Sequence, residues 1–237
     1  RLVARPDLPD VLAQELRKPG YRVAPIAIGT NTDPYQPIEK NEKIMRDALR
    51  VLQDFKHPVA VVTKGTLIER DIDILADMAA RGLARVGISL TTLDADLSRR
   101  MEPRAPAPAR RLATIERLAG AGVPVRVMTS PVIPGLTDHE IEPLLQAGRD
   151  AGATSASWVM LRLPLEVAPL FREWLQEWYP DRAGRVMGLV RDMHGGQDYA
   201  ADWGRRMRGS GPYAAMIAQR FRLAARRLGL DEKQPPL

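Results

Sequence analysis

Polar side chains gather wherever an apolar run of this sequence ends. The run "APIAI" gives way to "GTNTDPYQPIEK" (29–40), which carries Thr30, Asn31, Thr32, Asp33, Tyr35, Gln36 and Glu39. Thr63 and Lys64 close a second run, Ser89, Thr91 and Thr92 a third, Thr129 and Ser130 a fourth, and Arg162 a fifth. Hydroxyls, an amine, a guanidinium and carboxylates suit a zwitterionic or ribose-bearing small ligand: amine to carboxylate, hydroxyl to hydroxyl. Taken singly, each of these residues also reads as a helix cap or a loop hydrogen bond. Their recurrence at every run argues for a shared site. Lys64 has three readings: an imine-forming lysine of an aldolase-type barrel, the partner of a ligand carboxylate, or a side chain that merely snorkels at the rim.

Other chemistries are excluded or disfavoured. No close pair of carboxylates marks a glycosidase. His57, His139 and His194 stand away from the run ends, so no Ser/His/Asp set forms. The chain has no cysteine, which excludes disulfides and thiolate metal ligands within these 237 residues. Three scattered histidines argue against a zinc site. No apolar stretch reaches the roughly 18 residues of a membrane span, and residues 1–20 have no signal-peptide core, so a cytoplasmic protein is expected. The formal charge is +6, with arginines crowding the last third from Arg182 to Arg227. That surplus reads either as attraction for phosphates or as a solvated arginine-rich surface.

The elements that must position the run ends alternate. Apolar runs at 21–29, 58–64, 84–92, 123–133 and 155–162 read as strands, and helical periodicity fills 41–56, 67–82, 107–122 and 137–152. Gly82 stops the second of these helices, and Thr137 or Asp138 is expected to cap the fourth. Continuous apolar runs predict strands buried on both faces of a parallel sheet. In such folds ligands bind at the carboxyl ends of the strands. No glycine-rich nucleotide fingerprint follows any strand. After residue 163 the pattern turns helical, at roughly 165–179, 182–193 and 211–229. A partial barrel over 1–163 with a helical extension over 164–237 is therefore expected. "DLPDVLAQELRK" precedes the first visible strand, and the chain opens on Arg1; together they suggest that an N-terminal part lies outside the sequence.

The segments "GTNTDPYQPIE", "VVTKGTLIERDIDIL", "VGISLTTLDADLSRRMEPRAPAPARRLATIERLAGAGVPV" and "SPVIPGLTDHEI", with the tail "GPYAAMIAQRFRLAARRLGL", resemble the radical S-adenosylmethionine superfamily. The nearest branch by this resemblance is the group similar to spore photoproduct lyase. The resemblance implies an α/β fold, a partial (β/α)6 TIM-like barrel of parallel strands with its first strand missing from this chain. It implies a [4Fe–4S] cluster on a CxxxCxxC loop, with S-adenosylmethionine chelating the open iron and yielding a 5′-deoxyadenosyl radical that abstracts hydrogen. The cluster cysteines are then expected upstream, and the chain alone is expected to be inactive. A reductant such as flavodoxin or ferredoxin is implied as partner.

The resemblance also carries residues. Lys64 matches a lysine that meets the methionyl carboxylate, and Ser89 a hydroxyl near the ribose or carboxylate. Thr30 and Thr32 match the lip facing the methionyl group. Val132 and Ile133 match a segment beside adenine, and Met160–Arg162 a strand end whose backbone meets the adenine edge. Arg104 reads either as a second partner of the methionyl carboxylate or as an ion pair with Glu102. Asp33 and Glu39 either tie the first loop down or fix the ligand amine. The lyase's cysteine hydrogen donor has no counterpart here; Tyr35 stands nearby, either as its substitute or as a core tyrosine. In the tail, Tyr199, Trp203 and Tyr213 beside the arginines raise a nucleic-acid substrate, with a packed surface loop as the plainer reading. Alternatives to the radical enzyme are a non-catalytic nucleic-acid-binding α/β protein and a lysine-dependent aldolase-type barrel.

Overall fold

The computed structural model describes residues 4–202, 204–232 and 237. Helix α1 (Leu8–Leu16) leads into strand β1 (Ile26–Ile28). A short α2 (Glu39–Glu42) and α3 (Ile44–Asp54) return the chain to β2 (Val59–Thr63). A 3-10 turn (Thr66–Asp71) opens α4 (Ile72–Ala80), and β3 (Ala84–Ser89) follows. Next come α5 (Ala95–Met101), α6 (Pro108–Gly120), β4 (Val125–Val132), α7 (Ile141–Asp150) and β5 (Ser155–Met160). The tail forms α8 (Val167–Trp178), α9 (Pro180–Met193) and α10 (Gly211–Arg227).

The five strands pair in chain order, β1-β2-β3-β4-β5, and every pair is parallel. Parallel neighbours need a crossover, and the helices between the strands supply it. This is the α/β partial barrel with a helical C-terminal region that the alternation predicts. Helix α5 was not expected. Asp94 caps it, its carboxylate accepting the N–H groups of Asp96 and Leu97 at 2.8 and 3.1 Å. Thr137 does not cap α7; its hydroxyl accepts the Ile133 N–H at 2.8 Å.

One expectation needs correction. The strands are not buried on both faces. Val59, Val61, Val86, Ile88, Val125 and Val127 point into a core shared with Leu49, Leu75, Ile115 and Leu144 of the helices. Their neighbours Ala60, Val62, Arg85, Arg126 and Met128 stay partly or fully exposed on the inner face of the sheet. Sequence periodicity hides this because Ala60, Val62 and Met128 on the inner face are also apolar.

The tail is fastened to the sheet. Ile217, Phe221 and Ala224 of α10 join the main core. The guanidinium of Arg220 grips Glu142 of α7 through two bonds of 2.9 and 2.6 Å. The Tyr213 hydroxyl donates to Asp138. Leu230 and Met207 use their carbonyls to accept the N–H groups of Ala156 and Met160 along the free edge of β5. That covers part of an edge that would otherwise invite pairing with another chain. Among the described residues no helix is long and apolar enough to cross a membrane.

Two expectations for stability follow. Gly29 has φ +94°, and a methyl group placed there would sit 1.9 Å from the Val62 carbonyl oxygen. Gly29→Ala should lower stability by about 2 kcal/mol or more, read as a lower urea midpoint at unchanged slope. An unchanged midpoint would contradict the close approach. Burial and the Asp138 carboxylate raise the Tyr213 phenol from 10.0 to about 12. A raised folded-state value means the contribution is complete below the unfolded value and is lost as pH climbs through the folded one. The stability gap between wild type and Tyr213→Phe should therefore be constant below about pH 10 and shrink towards about pH 12.

Candidate active site

The site begins with the loop after β1. Asp33 holds it to the end of β2. One carboxylate oxygen accepts the Tyr35 N–H at 2.9 Å and the Thr63 hydroxyl at 2.6 Å; the other accepts the Lys64 N–H at 2.7 Å. Glu39 ties the far end of the loop. It accepts the Met45 N–H at 2.9 Å and pairs with Arg70 at 2.9 Å. Both acids are thus committed to the loop, the first of their two sequence readings. Tyr35 is buried and donates to Asp71 at 3.1 Å. Asp71 is itself fully buried and held by Arg46 and Arg70. Desolvation, then the Asp71 charge, push the Tyr35 phenol far above its usual range. Its ring lines the cleft while its hydroxyl stays in this network.

Lys64 emerges beside Ser89, because Thr63 pairs with Ile88 one step earlier. Both residues lie on the inner face by strand alternation. The Lys64 ammonium stands 3.4 Å from Glu102 at the end of α5. Glu102 is anchored from behind. Its second oxygen accepts from Arg111 at 2.7 Å and from the Thr91 hydroxyl at 3.1 Å. Arg111 is 1% exposed and also donates to the carbonyls of Pro106 and Ser89 at 2.7 and 3.1 Å. A buried guanidinium thus fixes one carboxylate and the backbone at the end of β3 together. Sequence reading passed over Arg111. The signal was present: Arg111, Thr114, Ile115 and Leu118 share one helical face, and the other three are buried.

These elements enclose a cleft of about 540 Å³. Lys64, Arg104, Glu102 and the loop-bound Asp33 supply its charges, Gln36 an amide and Tyr35 an aromatic wall. Arg104 is exposed, and among the described residues it has no carboxylate partner; Lys64 and Arg111 occupy Glu102 instead. Lys64 is about a third exposed and ion-paired, unlike the apolar pocket an imine-forming lysine requires.

Other predicted residues stand apart from this cleft. Thr30 and Thr32 are exposed; Thr32 accepts from Gln36 at 2.9 Å. Ser89 is buried and donates to the Ser130 carbonyl at 3.1 Å. Ile133 is fully buried in a second core with Leu97, Leu136 and Leu161, so its side chain is closed off from the cleft. Arg162 is exposed beyond the end of β5. In the tail, Tyr199 packs near His194 and Tyr213 is tied to Asp138. Trp203 lies outside the described residues. Arg191 pairs with Asp198, Arg220 with Glu142, and Arg208 lies 4.2 Å over the Trp158 ring.

Fold and cleft together define a parallel α/β barrel segment with its polar site at the strand ends, and the sequence carries a family signature to match. The Radical SAM superfamily profile matches residues 4–147, and the chain belongs to that superfamily. It is 35% identical over 193 residues to an uncharacterized protein, Rv2578c, of Mycobacterium tuberculosis, covering 81% of this chain and 57% of the relative. It is 26% identical over 180 residues to an uncharacterized protein, MJ0683, of Methanocaldococcus jannaschii, covering 76% of this chain and 64% of the relative. The chain thus spans less than two thirds of the length of these relatives. Among solved structures it is similar in fold to SuiB of Streptococcus suis bound to precursor peptide SuiA. That match has a TM-score of 0.51 and 16% identity, over 77% of this chain and 41% of the other.

Removing the anchor should be costly. Arg111→Met leaves the half-buried Glu102 and two carbonyls without their donor, and a loss of about 3 kcal/mol is expected in urea denaturation. A loss below about 1 kcal/mol would show that α5 is held by other contacts.

Proposed function

We propose that this chain is the S-adenosylmethionine-handling part of a radical S-adenosylmethionine iron–sulfur enzyme that abstracts hydrogen from its substrate. The observation that carries the reading is the cleft itself, in a chain of this superfamily: an ammonium and a guanidinium, Lys64 and Arg104, beside the carboxylate of Glu102, with the carboxylate of Asp33 already committed to the loop and the Lys64 N–H. That donor set complements both charges of an amino acid, and the cleft volume lies in the range of small-molecule sites. The residues present therefore fit S-adenosylmethionine. Lys64 and Arg104 would hold its carboxylate, Glu102 its amine, and Gln36 a hydroxyl. In the same proposal Thr30, Thr32, Ser89 and Arg162 lie at strand ends outside the cleft, on the side towards which the rest of the cofactor would extend, and Ile133, enclosed in the second core, would add no side-chain contact. Bound S-adenosylmethionine supplies hydrogen-abstraction chemistry once an electron reaches it.

The cluster does not fit these residues. The chain has no cysteine, and among the described residues no group of histidines and carboxylates could hold a metal. In this proposal the thiolates belong to sequence outside the 237 residues, and the reductant is a flavodoxin or ferredoxin. The motifs quoted above support a place near the spore photoproduct lyase-like group. The lyase's own reaction is not part of the proposal, because Tyr35, the residue nearest the position of its cysteine donor, is bound to Asp71.

What the chain contributes is positioning. Asp33 and Arg111 fix Lys64 and Glu102 before any ligand arrives, so little side-chain freedom is lost on binding. The test is anaerobic assay of the full-length protein with a chemical reductant, reading 5′-deoxyadenosine release. Lys64→Ala removes one charge-assisted bond, and S-adenosylmethionine should bind about 10- to 100-fold more weakly. No 5′-deoxyadenosine from the intact protein would overturn the reading. Unchanged affinity in Lys64→Ala would remove Lys64 from it.

A further inference from the structure

The inner face of the sheet carries a second cationic feature, away from the cleft. Arg85 of β3 pairs in register with Ala60, and Arg126 of β4 with Gly87. The two arginines are therefore diagonal neighbours on one face, and the Met128 side chain fills the space over Gly87 between them. A methyl group at Gly87 would come within 2.7 Å of the Met128 sulfur. Ala60, Val62, Met128, Ser155 and Ser157 lie around them on the same face, and no strand places a carboxylate there. Arg126 donates to the Ser155 hydroxyl at 3.3 Å, and among the described residues neither guanidinium has an acidic partner. Partial burial and the charge of Arg126 lower the Arg85 value. Like charges side by side on a partly buried face cost stability unless an anion joins them. Leu237 borders the cleft that the two arginines line, which measures about 140 Å³.

We infer that Arg85 and Arg126 form an anion subsite for the substrate, one that takes a phosphate or carboxylate group. Two adjacent forks match the oxygens of either group. The cleft is too small for a whole substrate and suits its charged end. Arg85 lies four residues below Ser89 along β3, about 13 Å at the rise of a strand. The substrate is then a small molecule with an acidic group about that far from the rim where S-adenosylmethionine is proposed to sit. That this anion is the substrate rests on the radical reading above; the anion site itself does not.

The test is calorimetric titration of the full-length protein with inorganic phosphate and, separately, acetate, without reductant or S-adenosylmethionine. One saturable site is expected. Arg85→Gln and Arg126→Gln should each weaken it by about tenfold. Arg182→Gln, at an exposed tail arginine, should leave it unchanged. Arg85→Lys and Arg126→Lys, which keep the charge, should recover part of the affinity, and circular dichroism checks that every variant is folded. Phosphate binding alone assigns a phosphate ester; binding of both anions admits a carboxylate. Absence of any saturable site, equal affinity in the glutamine variants, or equal loss in Arg182→Gln overturns the inference. Because no turnover is read, each of these results stands whether or not 5′-deoxyadenosine is formed.

Discussion

The carboxylate of Asp33 joins the end of β1 to the end of β2, and the candidate site depends on that joint. Loops after parallel strands have no backbone ladder to fix them, so their geometry must come from side chains. Asp33 meets this need with both oxygens, taking donors from its own loop and from Thr63 and Lys64. The bond to the Lys64 N–H matters most, because it sets the backbone from which the ammonium leaves the strand. Gly29 makes the joint close enough: only a residue without Cβ lets β1 end so near the Val62 carbonyl.

Behind the joint lies charge that is expensive to bury. Asp71 is fully buried with Arg46, Arg70 and Tyr35 around it, and Glu39 extends the network. An apolar cluster of the same volume would serve stability equally well or better. What a hydrogen-bonded network adds is direction, since each donor and acceptor fits one arrangement. The same economy recurs at Arg111, which spans Glu102 and the carbonyls of Pro106 and Ser89. Two such networks flank the cleft, one behind the first loop and one behind α5. The mouth is thereby built from rigid parts although most of its residues lie in loops.

The order and parallel sense of the strands were legible from the alternation of apolar runs and helical stripes. So was the loop that carries Asp33, because proline and acid residues directly after an apolar run have few other uses. The partners of those residues were not legible. Glu102 was read against Arg104, its near neighbour in sequence, yet it meets Lys64 and Arg111. Arg104 sits exposed in a turn closed by the Ala105 N–H on the Glu102 carbonyl at 2.9 Å, while α6 carries Arg111 on its buried face. Ile133 shows the opposite failure. The register shift between Thr129 and Val132 breaks the alternation just before it, so counting along the strand no longer says which face a residue takes.

The inner face explains why one part of the reading went astray and what the fold gains by it. A barrel strand serves two surroundings: helices outside and a lumen inside. On the helix side, β2, β3 and β4 carry Val59, Val61, Val86, Ile88, Val125 and Val127. On the inner side the same strands carry Ala60, Val62, Gly87 and Met128, apolar enough to complete a continuous run in the sequence. Two arginines interrupt that run, and a pattern search treats them as noise. In three dimensions they are the exception that gives the face a sign. Arg126 stays exposed and Arg85 partly buried, so an anion joining them would meet two guanidiniums on a face still open to water. Ala60 and Gly87 beside them carry little side chain of their own, and Met128 lies over Gly87. Bulky aliphatic residues at the same positions would have closed the lumen and left a stable sheet without a chamber beneath the rim.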